Sequence, residues 1–231
     1  MGGTTGGLVI RVFWLLERGL HEACHLRDPP VMHAEAALPT RFGTFKISVF
    51  EVDGSPGEVA ALIRGRLDGP TPPLVRLHSE CLTGDVLGSL RCDCGQQLEA
   101  ALALIAAAEA GVLLYLPQEG RGIGLANKIR AYALQDRGLD TVDANLALGL
   151  PVDRRDYAAA ADILRNLGLT RVRLLTNNPA KSAALESRGI QVVERVPLTV
   201  RPNHVNRHYL RTKADRMGHL LPVERTDMLD R

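Results

Sequence analysis

The chain has 231 residues, 45% of them apolar and 23% charged, which fits one domain with a real core and excludes a disordered chain. Lysine and arginine number 28 against 26 aspartates and glutamates, so no global positive field advertises nucleic acid or an anionic membrane as partner. The longest apolar runs, 100–108 and 112–116, fall well short of the roughly 18 residues that span a bilayer. Residues 1–34 carry glycines at 2, 3, 6 and 7 and then Arg27-Asp28-Pro29-Pro30, without a clear period. They read as a poorly ordered extension, and Cys24 within them as a spectator thiol. No basic residue precedes the apolar run from Leu8, so a secretory signal is not expected and the chain reads as cytoplasmic.

Phe45–Val52, Glu58–Ile63 and Leu74–His78 read as strands, the first two separated by a Gly54-Ser55-Pro56-Gly57 turn. Gln96–Ala110 reads as an Ala/Leu-rich helix closed by Gly111, and Val112–Leu116 as the strand after it. Helices are expected over Ile123–Arg137 and Asp156–Leu167, each stopped by the glycine that follows, with a strand at Val172–Thr176. Asn178-Pro179 is a good cap and first-turn pair for a helix through Arg188, ahead of the strand Gln191–Val196. The alternation predicts an α/β fold, a mixed sheet covered by helices in a single domain over 35–221, with 222–231 as a tail. The basic stretch 201–216 and His219 read as a solvated face, or as a segment that closes over a site or a partner subunit.

Three of the four cysteines, Cys81, Cys92 and Cys94, lie within fourteen residues. That clustering suits metal ligation in a reducing compartment better than disulfides. Zinc takes thiolates in a tetrahedral array, and Gly84, Gly88 and Gly95 supply the bends such a loop needs. If the fourth place is water, zinc lowers the water's pKa to roughly 7 and makes a nucleophile at neutral pH. If it is His78, the site is a closed structural Cys3His knuckle in a binding module. A second signal is Gln118-Glu119-Gly120-Arg121-Gly122-Ile123-Gly124 between strand and helix. Its glycines permit close approach to a phosphate, and Arg121 can clamp oxygens.

Taken together, Arg76-Leu77-His78-Ser79-Glu80-Cys81-Leu82-Thr83-Gly84-Asp85, Leu90-Arg91-Cys92-Asp93-Cys94-Gly95, Glu119–Gly124, Lys128-Ile129-Arg130-Ala131-Tyr132 and Thr176-Asn177-Asn178-Pro179-x-Lys181 resemble GTP cyclohydrolase II. The resemblance runs from about Leu38 to Leu221. It implies conversion of GTP to 2,5-diamino-6-ribosylamino-4(3H)-pyrimidinone 5′-phosphate, formate and pyrophosphate, the first step of riboflavin synthesis, by a monofunctional homodimer. It also implies zinc on Cys81, Cys92 and Cys94, a proton acceptor at Asp153, a nucleophile at Arg155, and GTP contacts at Arg76, Leu77, His78, Ser79, Glu80, Gln97, Glu119, Gly120, Arg121, Thr141, Thr176 and Lys181.

The residue types fit that chemistry unevenly. Tyr132 could orient or protonate the opening ring, although alone it reads as a core-packing helix residue. Arg155 stays protonated and is a poor nucleophile in its normal state, so charge neutralisation of phosphate is its natural role. Pyrophosphate loss also wants Mg²⁺ on the triphosphate. A related enzyme that stops at the formamide, or serves another pathway, would use the same zinc loop.

Overall fold

In the computed structural model, residues 28–220 are described. The expectations for 1–27, Cys24 included, and for the tail 222–231 fall outside them. Strands β1 (Val31–Thr40), β2 (Gly43–Glu51) and β3 (Val59–Arg64) form an antiparallel meander, and β3 pairs antiparallel with β5 (Gly111–Leu116). From β5 the sheet continues in parallel through β4 (Leu74–Ser79), β6 (Arg171–Leu175) and β7 (Gln191–Val196). The seven-stranded order is β1-β2-β3-β5-β4-β6-β7. The helices are α1 (Cys94–Ala107), α2 (Leu125–Gln135), α3 (Thr141–Ala147), α4 (Ala158–Asn166), α5 (Pro179–Glu186) and α6 (Arg207–Met217). This is the mixed, helix-covered α/β sheet that the alternation predicts.

Strand period decides which face each helix covers. Val112, Leu114 and Leu116 of β5 point into a cluster with Ala160, Ile163 and Leu164 of α4 and Leu185 of α5. Leu113 points the other way, onto Ala101 and Ile105 of α1 and Phe45 of β2. Strand β4 is covered on both sides and five of its six residues are buried, as an interior strand of a doubly covered sheet should be. Two of those buried residues, Arg76 and His78, are polar, and the site explains them.

Several boundaries differ from expectation for local reasons. Helix α1 ends at Ala107, because Gly111 opens β5 instead of closing the helix. A Cβ at Gly111 would sit 2.7 Å from the Leu74 carbonyl oxygen. Strand β1 starts at Val31, inside the segment read as an extension, and most of its residues are exposed. It therefore shows no alternating apolar face, and the ladder to β2 holds it. Helix α3 is short and capped by the Asp140 carboxylate, which accepts from Val142 N at 2.7 Å and Asp143 N at 2.9 Å. Helix α6 is polar and packs by side-chain pairs such as Arg216 with Asp143 at 3.0 Å. No helix among the described residues is long and apolar enough to cross a membrane.

Ile163 is fully buried between β5 and α4's neighbours. Ile163→Ala should lower the unfolding free energy by about 2–5 kcal/mol, read as a shifted urea midpoint, and an unshifted midpoint would contradict this account of the core.

Candidate active site

The carboxyl ends of the parallel strands converge, which is where α/β sheets hold ligands. Strand β4 leads into Glu80 and Cys81, β5 into the 118–124 loop, and β6 into Thr176, Asn177 and Asn178, and all three segments line one pocket.

The Sγ atoms of Cys81, Cys92 and Cys94 lie within 4.8 Å of one another, with Cys81 and Cys92 3.7 Å apart. Two glycines make this possible. A Cβ at Gly84 would lie 2.7 Å from Cys92 Sγ and 3.2 Å from Cys81 Sγ, and one at Gly95 would lie 2.3 Å from the Gly84 carbonyl oxygen. The Cys81 thiol is pushed far down, first by hydrogen bonds from Cys92 and Cys94 and then by Lys128. Cys92 is pushed up to about 11, first by its bond to Cys81. The cluster without a metal thus favours one thiolate. A soft divalent cation fits three such sulfurs and would draw off the remaining protons.

Lys128 of α2 donates from Nζ to Cys81 Sγ at 3.0 Å and to Glu119 Oε1 at 2.8 Å. Burial works against its charge, but Glu119 and Cys81 outweigh burial and hold it protonated. Glu119 also accepts from Leu82 N at 2.7 Å and Gly120 N at 2.6 Å, so it ties the cysteine loop to the 118–124 loop. His78 is not a fourth ligand. Its Nε2 donates to the Asp85 carboxylate at 3.1 Å and its ring stacks on Tyr115 at 5.5 Å. Among the described residues no fourth Cys, His, Asp or Glu joins the three cysteines. Asp85 additionally accepts from Cys81 N at 3.0 Å and Tyr115 Oη at 2.9 Å, which fixes the first cysteine's backbone.

The opposite wall is cationic. Arg76 is buried, donates to the Leu175 carbonyl at 3.1 Å and Gln97 Oε1 at 2.6 Å, and has an Nε without a partner. Burial pushes its guanidinium down to about 10. Lys181, buried, donates to the Leu77 carbonyl at 2.8 Å. Burial, then the charges of Arg76 and Arg155, push its ammonium well below the usual lysine range. Arg155 pairs with Asp153 through bonds of 2.9 and 3.2 Å. Burial opposes both charges, yet the pair wins, holding Asp153 low and Arg155 high. In the 118–124 loop Arg121 is the single described non-glycine residue at positive φ, 61°. Its guanidinium has a buried nitrogen without a partner. A non-glycine residue in this left-handed region is uncommon.

A scan of family models matches GTP cyclohydrolase II over residues 31–197. Over 188 residues the chain is 60% identical to the GTP cyclohydrolase-2 of Proteus mirabilis (strain HI4320), covering 81% of this chain and 94% of that one. The chain belongs to the GTP cyclohydrolase II family. The GTP cyclohydrolase-2 of Escherichia coli O9:H4 (strain HS) is 58% identical over 188 residues, covering 81% of this chain and 96% of that one. Riboflavin biosynthesis protein RibBA of Salinispora tropica is 58% identical over 189 residues, covering 81% of this chain. This family member spans about half, 47%, of that relative's length.

Most residues expected from the GTP cyclohydrolase II resemblance do meet in this pocket. The three cysteines, Arg76, Gln97, Arg121, Tyr132, Thr141, Arg155, Thr176 and Lys181 line it, as do His78, Ser79, Glu80, Glu119 and Gly120. Leu77 contributes its carbonyl to Lys181, and its side chain is buried in the core. Asp153 reaches the pocket through Arg155 rather than lining it. Lys128, Tyr209 and Lys213 also line the pocket; Lys128 carries no role in the sequence reading, and the other two lie in the stretch read as a solvated face or a closing segment. Lys128 stands four residues before Tyr132 on α2, so helical spacing alone would have placed it on the same face.

Gly84→Ala should weaken metal retention about tenfold or more, measured by elemental analysis of purified protein against a competing chelator. Retention equal to the parent's would show that the sulfurs do not need that contact.

Proposed function

We propose that the chain is a zinc-dependent hydrolase that converts GTP to 2,5-diamino-6-ribosylamino-4(3H)-pyrimidinone 5′-phosphate, formate and pyrophosphate. The observation that carries this reading is the pairing of a three-cysteine cluster with a buried cationic wall in a single pocket. A soft metal site suits attack on carbon 8 of the purine, and the cations suit a triphosphate. The reading brings with it Mg²⁺ on the triphosphate, a homodimer, and the first step of riboflavin synthesis in the cytoplasm.

Cys81, Cys92 and Cys94 would hold zinc, which supplies Lewis-acid activation of water and polarisation at carbon 8. The chain's own residues then divide the work. Tyr132, its phenol pushed up to about 12 by burial, keeps its proton at neutral pH and serves as donor to the opening ring. Arg76 and Gln97 brace each other and, with Thr176 and Lys181, position the nucleotide. Arg155 acts as a fixed cation on phosphate. Asp153 holds it charged and aimed, and with Arg155 held high and Asp153 low, moving a proton from one to the other is uphill. The pair therefore favours clamping over nucleophilic attack by the guanidinium.

The direct test supplies zinc-loaded protein with GTP and Mg²⁺ and quantifies formate, pyrophosphate and the pyrimidine. Equal amounts of all three are expected, and Cys92→Ser should lose metal and turnover together. No product from fully zinc-loaded protein would sink the enzyme reading, and ring-opened product without formate would identify the truncated reaction.

Lys181 gives a pH-dependent signature. Burial lowers its pKa in the free pocket, and a bound polyphosphate raises it again by favouring the charged form. Pyrophosphate binding should therefore take up protons at pH values between the free and bound pKa of Lys181. Calorimetry in buffers of different ionisation heat reads that uptake, and Lys181→Met should remove it. Identical uptake in the variant would assign the proton elsewhere.

A further inference from the structure

The family match ends at residue 197, but the pocket does not. Tyr209 and Lys213 of α6 line it together with His219 just beyond. The segment that carries them is docked on the cysteine loop by directed bonds. Asn203 Nδ2 donates to the Leu90 carbonyl at 3.2 Å, fully buried Asn206 donates from Nδ2 to the Cys92 carbonyl at 3.4 Å, and Leu220 N donates to the Asn177 carbonyl at 2.8 Å.

Within this wall, Lys213 is buried, and its Nζ lies 2.7 Å from Asp93 Oδ1 and 4.5 Å from the centre of the Tyr209 ring. Its partner Asp93 is the more enclosed of the two, with 1% of the side chain exposed against 10%. Asp93 is also satisfied by Gln97, which donates to its second oxygen. The ammonium is thus the member of the pair that faces the pocket. Arg121 donates to the Tyr209 phenol oxygen at 3.3 Å. His219 is pushed down to about 3, first by burial and then by Lys213, Arg155, Arg121 and Lys181. Among the described residues neither Arg76 nor Lys181 has a carboxylate within salt-bridge distance. A pocket with this many enclosed cations and few carboxylates is stable in company with an anion of high charge.

We propose that Lys213 is a nucleotide-binding residue: α6 carries its ammonium to the phosphate end of bound GTP, and the site is complete only with residues 203–220 docked on the cysteine loop. This rests on the cyclohydrolase reading for the identity of the nucleotide. It assigns a pocket wall to a stretch of chain beyond residue 197, where the match to the family model ends.

The test compares Lys213→Met, Lys213→Arg and the double variant Asp93→Asn/Lys213→Met with the parent, each scored for zinc content, thermal midpoint and steady-state kinetics with GTP. Lys213→Met should raise KM for GTP by about 10- to 100-fold, the worth of a charge-assisted phosphate contact, with zinc content kept. The arginine variant should recover most of the loss. The double variant strands no buried carboxylate, so it should fold and share the KM defect. A double variant with the parent's KM would show that Lys213 only neutralises Asp93, and a KM defect that tracks lost zinc would do the same; either overturns the proposal. If the zinc-loaded parent turns over no GTP, the cyclohydrolase reading fails by itself. Calorimetric binding of pyrophosphate then decides, its loss in the double variant supporting the role of Lys213 in binding phosphate and its retention overturning it.

Discussion

Holding three cysteine sulfurs within 4.8 Å is the constraint on which the site depends. Three thiolates that close repel one another strongly at low dielectric, so the protein must supply both a geometry that forces them together and positive charge that makes the arrangement tolerable. Geometry comes from Gly84 and Gly95, whose missing side chains leave room for sulfur and backbone. It also comes from Asp85, which grips the backbone N–H of Cys81 and is gripped in turn by His78 and Tyr115. Charge comes from Lys128, which reaches Cys81 directly. A metal would complete the balance, since thiolate ligation and metal binding are one equilibrium.

The same electrostatic logic, with the sign reversed, shapes the other wall. Arg76 and Lys181 are buried against carbonyl groups and an amide instead of carboxylates. Burying cations this way costs stability in the free protein. The phosphates of the proposed nucleotide would offset that cost on binding. Arg155 differs, having its own carboxylate in Asp153. Its pairing with Asp153 favours the charged guanidinium, whereas burial and the neighbouring charges of Arg76 and Arg155 push the Lys181 ammonium down.

Much of this was legible in the sequence because the pieces that bear chemistry are local. The cysteines, the 118–124 loop and Thr176–Lys181 each sit at the end of a strand with clear β signals, and the alternation of strands and helices puts those ends together. What escaped reading was whatever depends on contacts remote in sequence. Strand β1 has no apolar face of its own and exists by pairing with β2. Helix α6 has no apolar stripe and is held by Arg216 to Asp140 and Asp143 and by Lys213 to Asp93. The sequence leaves 201–216 as either a solvated face or a segment closing over a site or a partner, and the contact of Lys213 with Asp93, 120 positions away, brings it to the pocket. Asp153 shows the converse. The resemblance names it as a proton acceptor, whereas in the fold its carboxylate reaches the pocket through Arg155.

Asp93 joins the two halves of the site. It lies between two of the three cysteines in sequence, and one of its oxygens takes Lys213 while the other takes Gln97. Gln97 in turn accepts from Arg76, whose other nitrogen reaches the end of β6. A continuous chain of hydrogen bonds therefore runs from the metal loop to the cationic wall, and each member restricts the next. Under the proposed function, a rigid path between the metal loop and the cationic wall would tie placement of the purine to placement of the triphosphate. Precise distance between reacting centres is worth far more than the modest strength of any bond in the path. That gives a reason for a buried acid to sit between two of the cysteines. Its destabilising proximity to the sulfurs is offset by the two donors it fixes, and those donors hold the pocket at a set distance from the metal loop.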